Sequence, residues 1–134
     1  MEHIITKENV DEAVAFMRKR VNVADGALGI VLGSGLGGLV DAIDGATCID
    51  YAEVPHMVPS TAPLHAGRFV IGTLGKRPVI CMQGRLHAYE GNTPQQVAFP
   101  IVLMHALGAN ELVVTNAAGG INVDLGVGDL MLCL

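Results

Sequence analysis

The run Pro78-Val79-Ile80-Cys81-Met82-Gln83-Gly84-Arg85-Leu86-His87-Ala88-Tyr89-Glu90-Gly91 changes character in its middle. Its first five residues are apolar and read as a buried strand. Arginine, histidine, tyrosine and glutamate then crowd into six positions. The polar cluster therefore sits where a strand leaves the core. In open α/β sheets that is where ligands bind, beyond the carboxyl ends of the strands. At two-residue spacing, Arg85, His87 and Tyr89 point the same way if the chain stays extended. A fixed cation, a titratable donor and an aromatic hydroxyl on one side suit an anion beside a sugar.

Working outward, the flanks alternate between the two periodicities of an α/β fold. On the N-terminal side, Phe69–Leu74 pairs with Val79–Met82 around the turn Gly75-Lys76-Arg77-Pro78. Residues 47–54 read as a further strand, and residues 55–67, with three prolines and two histidines, as a loop. Leu28-Gly29-Ile30-Val31-Leu32 is a short strand leading into Gly33-Ser34-Gly35-Leu36-Gly37-Gly38. Residues 6–21 carry Val10, Ala13, Val14, Met17 and Val21 on one helical face. Acidic residues lie near the start of that helix and basic ones near its end, matching the macrodipole. On the C-terminal side, Thr93-Pro94-Gln95-Gln96 opens a helix with a cap, a proline at the first position and a capping box. That helix runs to about Leu107 with Gly108 as its stop, and Pro100 is expected to kink it. Glu111–Thr115 is the next strand, followed by Asn116-Ala117-Ala118-Gly119-Gly120. The expected architecture is a mixed central β-sheet flanked by helices. It forms one domain over residues 1–134, with residues 1–27 as an N-terminal packing helix and linker.

Composition sets the bounds. Hydrophobic residues make up 51% of the 134 positions and glycine fills 17 more. With glycine counted as apolar, an ordinary domain reaches only about 45–50%. Oligomer burial or a missing second half would explain the excess. The terminal run Gly128-Asp129-Leu130-Met131-Leu132-Cys133-Leu134 reads as a strand cut off without a polar tail, which points to a truncated or split polypeptide. Each apolar run is broken by Gly, Pro or a charge before it could span a bilayer. The polar, acidic N-terminus does not read as a signal peptide. A net charge of −5 leaves no basic face for phosphate neutralisation, so nucleic acid is excluded as a partner. Cys48, Cys81 and Cys133 lie in apolar, strand-like contexts without CxxC spacing and read as buried free thiols of a reducing cytoplasm.

Gly33–Gly38 fits the GxGxxG pattern after a strand. Three readings compete: a packing turn, a dinucleotide site, and a mononucleotide-type anion loop. A dinucleotide site wants an acidic residue about 20 positions on, and Asp50, inside Cys48-Ile49-Asp50-Tyr51, is the only candidate. In an anion loop the glycines let backbone N–H groups approach the ligand and Ser34 adds a hydroxyl donor. Arg85, emerging from an apolar strand, needs a partner. Either Glu90 pairs with it internally, or it donates bidentately to a tetrahedral oxyanion. His65 gains weight from the adjoining Gly67-Arg68, whereas His56 and His105 read as structural. No histidine–carboxylate or cysteine set has metal-ligand spacing.

Four segments taken together resemble the purine nucleoside phosphorylase family, of the homotrimeric kind. They are Gly33-Ser34-Gly35-Leu36-Gly37, Pro59-Ser60-Thr61 through His65-Ala66-Gly67, Met82-Gln83-Gly84-Arg85 through Glu90-Gly91, and Val114-Thr115-Asn116-Ala117-Ala118-Gly119-Gly120. Their order and spacing fit from about residue 28 onward. The resemblance implies a phosphorylase/hydrolase-like fold and phosphorolysis of a purine nucleoside to free base and ribose 1-phosphate. Inorganic phosphate is then a co-substrate and no cofactor is needed. It further implies that Ser34, His65, Arg85, His87 and the backbone at Ala117 hold phosphate. Tyr89, Asn116 and Ala118 would lie against the ribose or nucleoside, and His87 and Glu90 would serve catalysis, Glu90 by orienting Arg85 or His87. The family's chain is roughly twice as long, and its purine-binding residues fall beyond this span. The alternatives are an inactive phosphate-binding or assembly fragment of such an enzyme, and a dinucleotide-binding module.

Overall fold

A computed structural model describes residues 5–61 and 66–134. The expected mixed α/β architecture is present. Five strands form one sheet: β1 (Ala27–Val31), β2 (Asp44–Asp50), β3 (Arg68–Leu74), β4 (Arg77–Gln83) and β5 (Ala109–Val114). The spatial order is β2-β3-β4-β1-β5. β1 runs parallel to both of its neighbours, while β2, β3 and β4 form an antiparallel meander. The antiparallel and parallel parts of the sheet thus meet at β4.

Two helices cover one face of the sheet. In α1 (Lys7–Arg18), the Thr6 hydroxyl accepts from the Asn9 N–H at 3.1 Å, and Val10, Ala13 and Met17 are buried. α2 (Pro94–Leu107) begins as its local sequence dictates. The Thr93 N–H donates to Gln96 Oε1 at 2.8 Å, and the Gln96 N–H donates back to Thr93 Oγ1 at 3.2 Å. α2 continues through Pro100, whose ring is buried, and stops at Gly108. Phe99, Leu103 and Met104 from this helix join Met17 over Ile49, Phe69, Ile80 and Met82. On the opposite face a smaller cluster of Ile30, Val70, Val79 and Cys81 is covered by Val40 and Ile43 from the short 3-10 turn Gly37–Ala42 and its end.

Several boundaries depart from the sequence reading. β2 begins at Asp44 rather than residue 47, because a bulge at Gly45 carries the pairing with β3 three residues further back. It ends at Asp50, where Tyr51–Glu53 turns into a 3-10 helix and the Asp50 N–H donates to the Glu53 carboxylate at 3.3 Å. α1 stops at Arg18, short of residue 21. The hairpin turn is only Gly75-Lys76, since Leu74 already pairs with Arg77. Pro78 therefore lies inside β4, but pairing with β1 starts one residue later, at Val79, so its missing N–H breaks no parallel ladder. The strand expected at 128–134 does not form. A turn closes there instead, with the Asp129 N–H donating to the Gly126 carbonyl, and the segment pairs with no other strand. Of the three cysteines only Cys81 is buried. Cys48 sits on the edge strand β2, and Cys133 lies in the exposed residues after β5.

Candidate functional site

The parallel strands β1, β4 and β5 release their chains at the same end of the sheet, and cross-links there hold the three exits together. Gly33 follows β1 so closely beside the β5 exit that a Cβ would stand 2.6 Å from Asn116 Cα and 2.7 Å from the Thr115 carbonyl oxygen. Only glycine allows that approach. Thr115 is the node. Its Oγ1 accepts from the Gly33 N–H at 2.8 Å and donates to the Val31 carbonyl at 2.9 Å. Its own N–H reaches the same Val31 carbonyl at 3.0 Å, and its carbonyl accepts from Arg85 Nη2. The hydroxyl thus extends the β1–β5 ladder one residue beyond its last regular pair.

After β4 the chain does not stay extended. Gly84 turns it with φ +94°, and Ala88–Glu90 is a 3-10 turn. The two-residue spacing of Arg85, His87 and Tyr89 therefore does not place the three side chains in one row. Arg85 and His87 do face a common cleft of about 300 Å³, together with Ser34, Gly35, Gly37, Ala66 and Gln83. Tyr89 lies outside it, 84% exposed, with its ring stacked on His87 at 4.6 Å between centroids and 16° between planes. The hydroxyl of the buried Tyr51 donates to the Gly84 carbonyl at 2.6 Å and fixes the point from which Arg85 departs. Burial pushes the Tyr51 phenol far above the usual tyrosine range, so it stays a neutral donor.

Arg85 does not pair with Glu90. The Glu90 carboxylate accepts the His87 N–H at 2.8 Å and the Thr61 hydroxyl at 3.0 Å, which ties it to the backbone of His87. Arg85 instead holds the Thr115 carbonyl with one arm. Among the described residues, no carboxylate lines the cleft and Arg85 is the one permanent charge that does. A permanent cation, a hydroxyl and a glycine-rich backbone in such a pocket favour an anion.

Of the sequence candidates, Ser34, Arg85 and His87 line this cleft. Asn116, Ala117 and Ala118 are exposed in the loop after β5; Asn116 stands beside Gly33, and none of the three is among the residues lining the cleft. His65 lies outside the described residues. His56 and His105 have local partners, Glu12 at 2.6 Å and the Ala109 carbonyl at 2.9 Å. Among the described residues, no group of three or more His, Cys, Asp or Glu side chains could hold a metal ion. Sequence reasoning assigned no role to Tyr51, Gln83 or Thr115 and used Arg68 only as a neighbour of His65. Each is a polar residue at a strand end or just beyond one, which is the signal that marks it in the sequence.

Known proteins resemble this chain in sequence and in fold. A family model described as the phosphorylase superfamily matches residues 27–133. Purine nucleoside phosphorylase 1 of Bacillus subtilis is 44% identical over 126 residues, covering 94% of this chain and 46% of that protein. Purine nucleoside phosphorylase of Bos taurus is 50% identical over 103 residues, covering 77% of this chain and 36% of that protein. Among solved structures, isoform 2 of the Schistosoma mansoni enzyme, in complex with cytosine and ribose-1-phosphate, superposes with a TM-score of 0.85 at 40% identity. That match covers 94% of this chain and 44% of the other. A Schistosoma enzyme in complex with hypoxanthine gives a TM-score of 0.84 at 40% identity, over 96% of this chain and 44% of the other. The chain therefore spans less than half the length of these relatives. With a family model matched across all five strands and the cleft between them, the chain belongs to the phosphorylase superfamily.

Proposed function

We propose that this chain supplies the phosphate site and part of the ribose site of an enzyme that splits purine nucleosides, with inorganic phosphate, into free base and ribose 1-phosphate. The observation that carries the reading is the cleft in which, among the described residues, Arg85 is the one permanent charge, with Ser34 and His87 beside it and no carboxylate in the wall. Relatives that hold ribose-1-phosphate or hypoxanthine support the substrate class.

Glycosidic cleavage passes through an oxocarbenium-like state in which positive charge develops on the sugar. A phosphate pinned beneath the ring attacks the anomeric carbon and stabilises that charge, so positioning and electrostatics carry most of the catalysis. In this reading Arg85, Ser34 and His87 grip the phosphate, with His65 and the Ala117 backbone completing the shell. Glu90 sets the His87 backbone through its 2.8 Å hydrogen bond. Tyr89, Asn116 and Ala118 form the ribose and nucleoside side. The reaction needs phosphate as co-substrate and no further cofactor. The full-length form would work as a cytoplasmic homotrimer. Among the described residues, no helix is long and apolar enough to cross a membrane.

A second reading is phosphate binding without turnover. Calorimetry with inorganic phosphate tests what both readings share. Saturable binding by residues 1–134 should weaken about tenfold or more in Arg85→Ala, as for loss of a charge-assisted hydrogen bond. An unchanged affinity would sink the phosphate assignment. Phosphorolysis of inosine by these residues alone would overturn the second reading.

A further inference from the structure

Gln83 is the last residue of β4, two positions before Arg85, and its amide reaches in two directions. Its Oε1 accepts from Arg68 Nε at 2.7 Å, and its Nε2 donates to the Gly37 carbonyl at 3.0 Å. Arginine can only donate and a carbonyl can only accept, so the partners themselves fix which way the amide faces. Arg68 opens β3 directly opposite Gln83 in the antiparallel pair. The three groups therefore form a brace from β3 through β4 to the far end of the glycine loop, where Gly37 begins its 3-10 turn.

The near end of the same loop is fixed separately, through the Gly33 N–H on Thr115 Oγ1. Between the two anchors Ser34 and Gly35 are exposed, and a Cβ on Gly35 would meet nothing within 4 Å. The span that faces the ligand is thus unpacked and held at its ends by hydrogen bonds. An unpacked glycine segment loses much conformational entropy when it is ordered. Donors already in place avoid that loss at the moment of binding. Arg68 does not line the cleft, so its route to a ligand runs through Gln83.

We propose that Gln83 and Arg68 are positioning residues that hold the loop around Ser34 in shape for a tetrahedral oxyanion. The inference rests on reading the cleft as a phosphate site. Three variants test it: Arg68→Met, Gln83→Met and the double variant. Two properties are measured in each, the affinity for inorganic phosphate by calorimetry and the amide hydrogen exchange of Ser34 to Gly37 by NMR without ligand.

Each single variant should bind phosphate about five- to tenfold more weakly, as expected for one lost internal hydrogen bond. Loop exchange should quicken while the β1 and β4 amides stay protected. The double variant should be no worse than either single, because both break one chain of bonds. Lys76→Met, which removes a cation at the β3–β4 turn, should leave loop exchange unchanged. Should a methionine variant fail to fold, Gln83→Asn, whose shorter amide cannot span both partners, gives the same readouts. Losses that multiply in the double variant, or loop exchange unchanged in both singles, would overturn the brace. A wild-type chain that binds no phosphate would overturn the anion reading instead, with the ligand-free exchange still deciding whether the brace exists.

Discussion

β4 and β5 flank β1 on opposite sides, run parallel to it and carry comparable apolar sequences, yet they stand in opposite surroundings. In β4, Val79, Ile80, Cys81 and Met82 are all at most 2% exposed. In β5, Leu112, Val113 and Val114 are 45%, 46% and 57% exposed. The difference lies in the neighbours rather than in the residues. β4 has β3 on its far side, α1 and α2 over one face, and the 3-10 turn with Val40 and Ile43 over the other. β5 is an edge strand among the described residues. The cleft sits on this divide. One wall grows from β4 and is locked by Tyr51 and Gln83, while the other grows from β1, where Thr115, just past the exposed strand β5, holds Gly33.

Truncating one side chain from each strand is the most direct way to break the comparison. Ile80→Ala removes a fully buried side chain between α2 and the sheet and should cost about 2–5 kcal/mol in urea unfolding. Leu112→Ala, half exposed, should cost about 1 kcal/mol or less. Equal losses would mean that β5 is covered in solution by something its present neighbours do not supply.

The junction between the β1 wall and the end of β5 gives the next effect. A methyl group on Gly33 would meet backbone at 2.6 and 2.7 Å and Arg85 Nη2 at 2.9 Å. Backbone cannot give way as a side-chain tip can, so Gly33→Ala should destabilise by about 1–3 kcal/mol. It should also weaken phosphate binding by pushing Arg85 off the Thr115 carbonyl. Gly119→Ala, in the loop after β5 with nothing within 4 Å, should change stability by no more than about 0.5 kcal/mol. Similar losses at the two glycines would show that the β1–β5 junction is not the tight point.

What the sequence made legible follows the range of the interactions involved. The start of α2 was readable because Thr93, Pro94 and Gln96 cap it within four residues. The strands β1, β3 and β4 were readable from apolar runs bounded by glycine. The limits of β2 were not, because they depend on a bulge at Gly45 and on pairing with β3, from Asp44 opposite Thr73 to Asp50 opposite Arg68. Arg85 was readable as a cation needing a partner, but Glu90 was the nearer candidate in sequence and the Thr115 carbonyl, thirty residues on, is the partner found. The braces around the cleft are long-range for the same reason. Tyr51 meets Gly84, and Gln83 meets Gly37, only after the sheet has aligned the strand ends. Apolar context also failed to separate buried cysteines from exposed ones, since burial needs a covering layer as well as an apolar neighbour.

Those cysteines give the finest probe of the divide. Cys81 lies in β4, and burial pushes its thiol up to about 11, whereas Cys133 lies exposed after β5. Thiolate is the reactive form, so at pH 8 Cys133 and the exposed Cys48 should alkylate readily and Cys81 only when the sheet opens. Mass spectrometry of a timed iodoacetamide reaction should show two fast additions and one slow one. The same shift sets a pH dependence. A thiol whose pKa is raised on folding keeps its proton longer in the native state, so the native state binds more protons above pH 9. The stabilisation is complete below the unfolded value near 9 and is lost as pH rises toward 11. Urea midpoints should therefore fall between pH 9 and 11 in the wild type and fall less steeply in Cys81→Ala, whereas Cys133→Ala should track the wild type. Fast labelling of all three thiols at pH 8 would mean that β4 opens as freely as the segment after β5, and the contrast between the two strands would then be one of exposure without a difference in local stability.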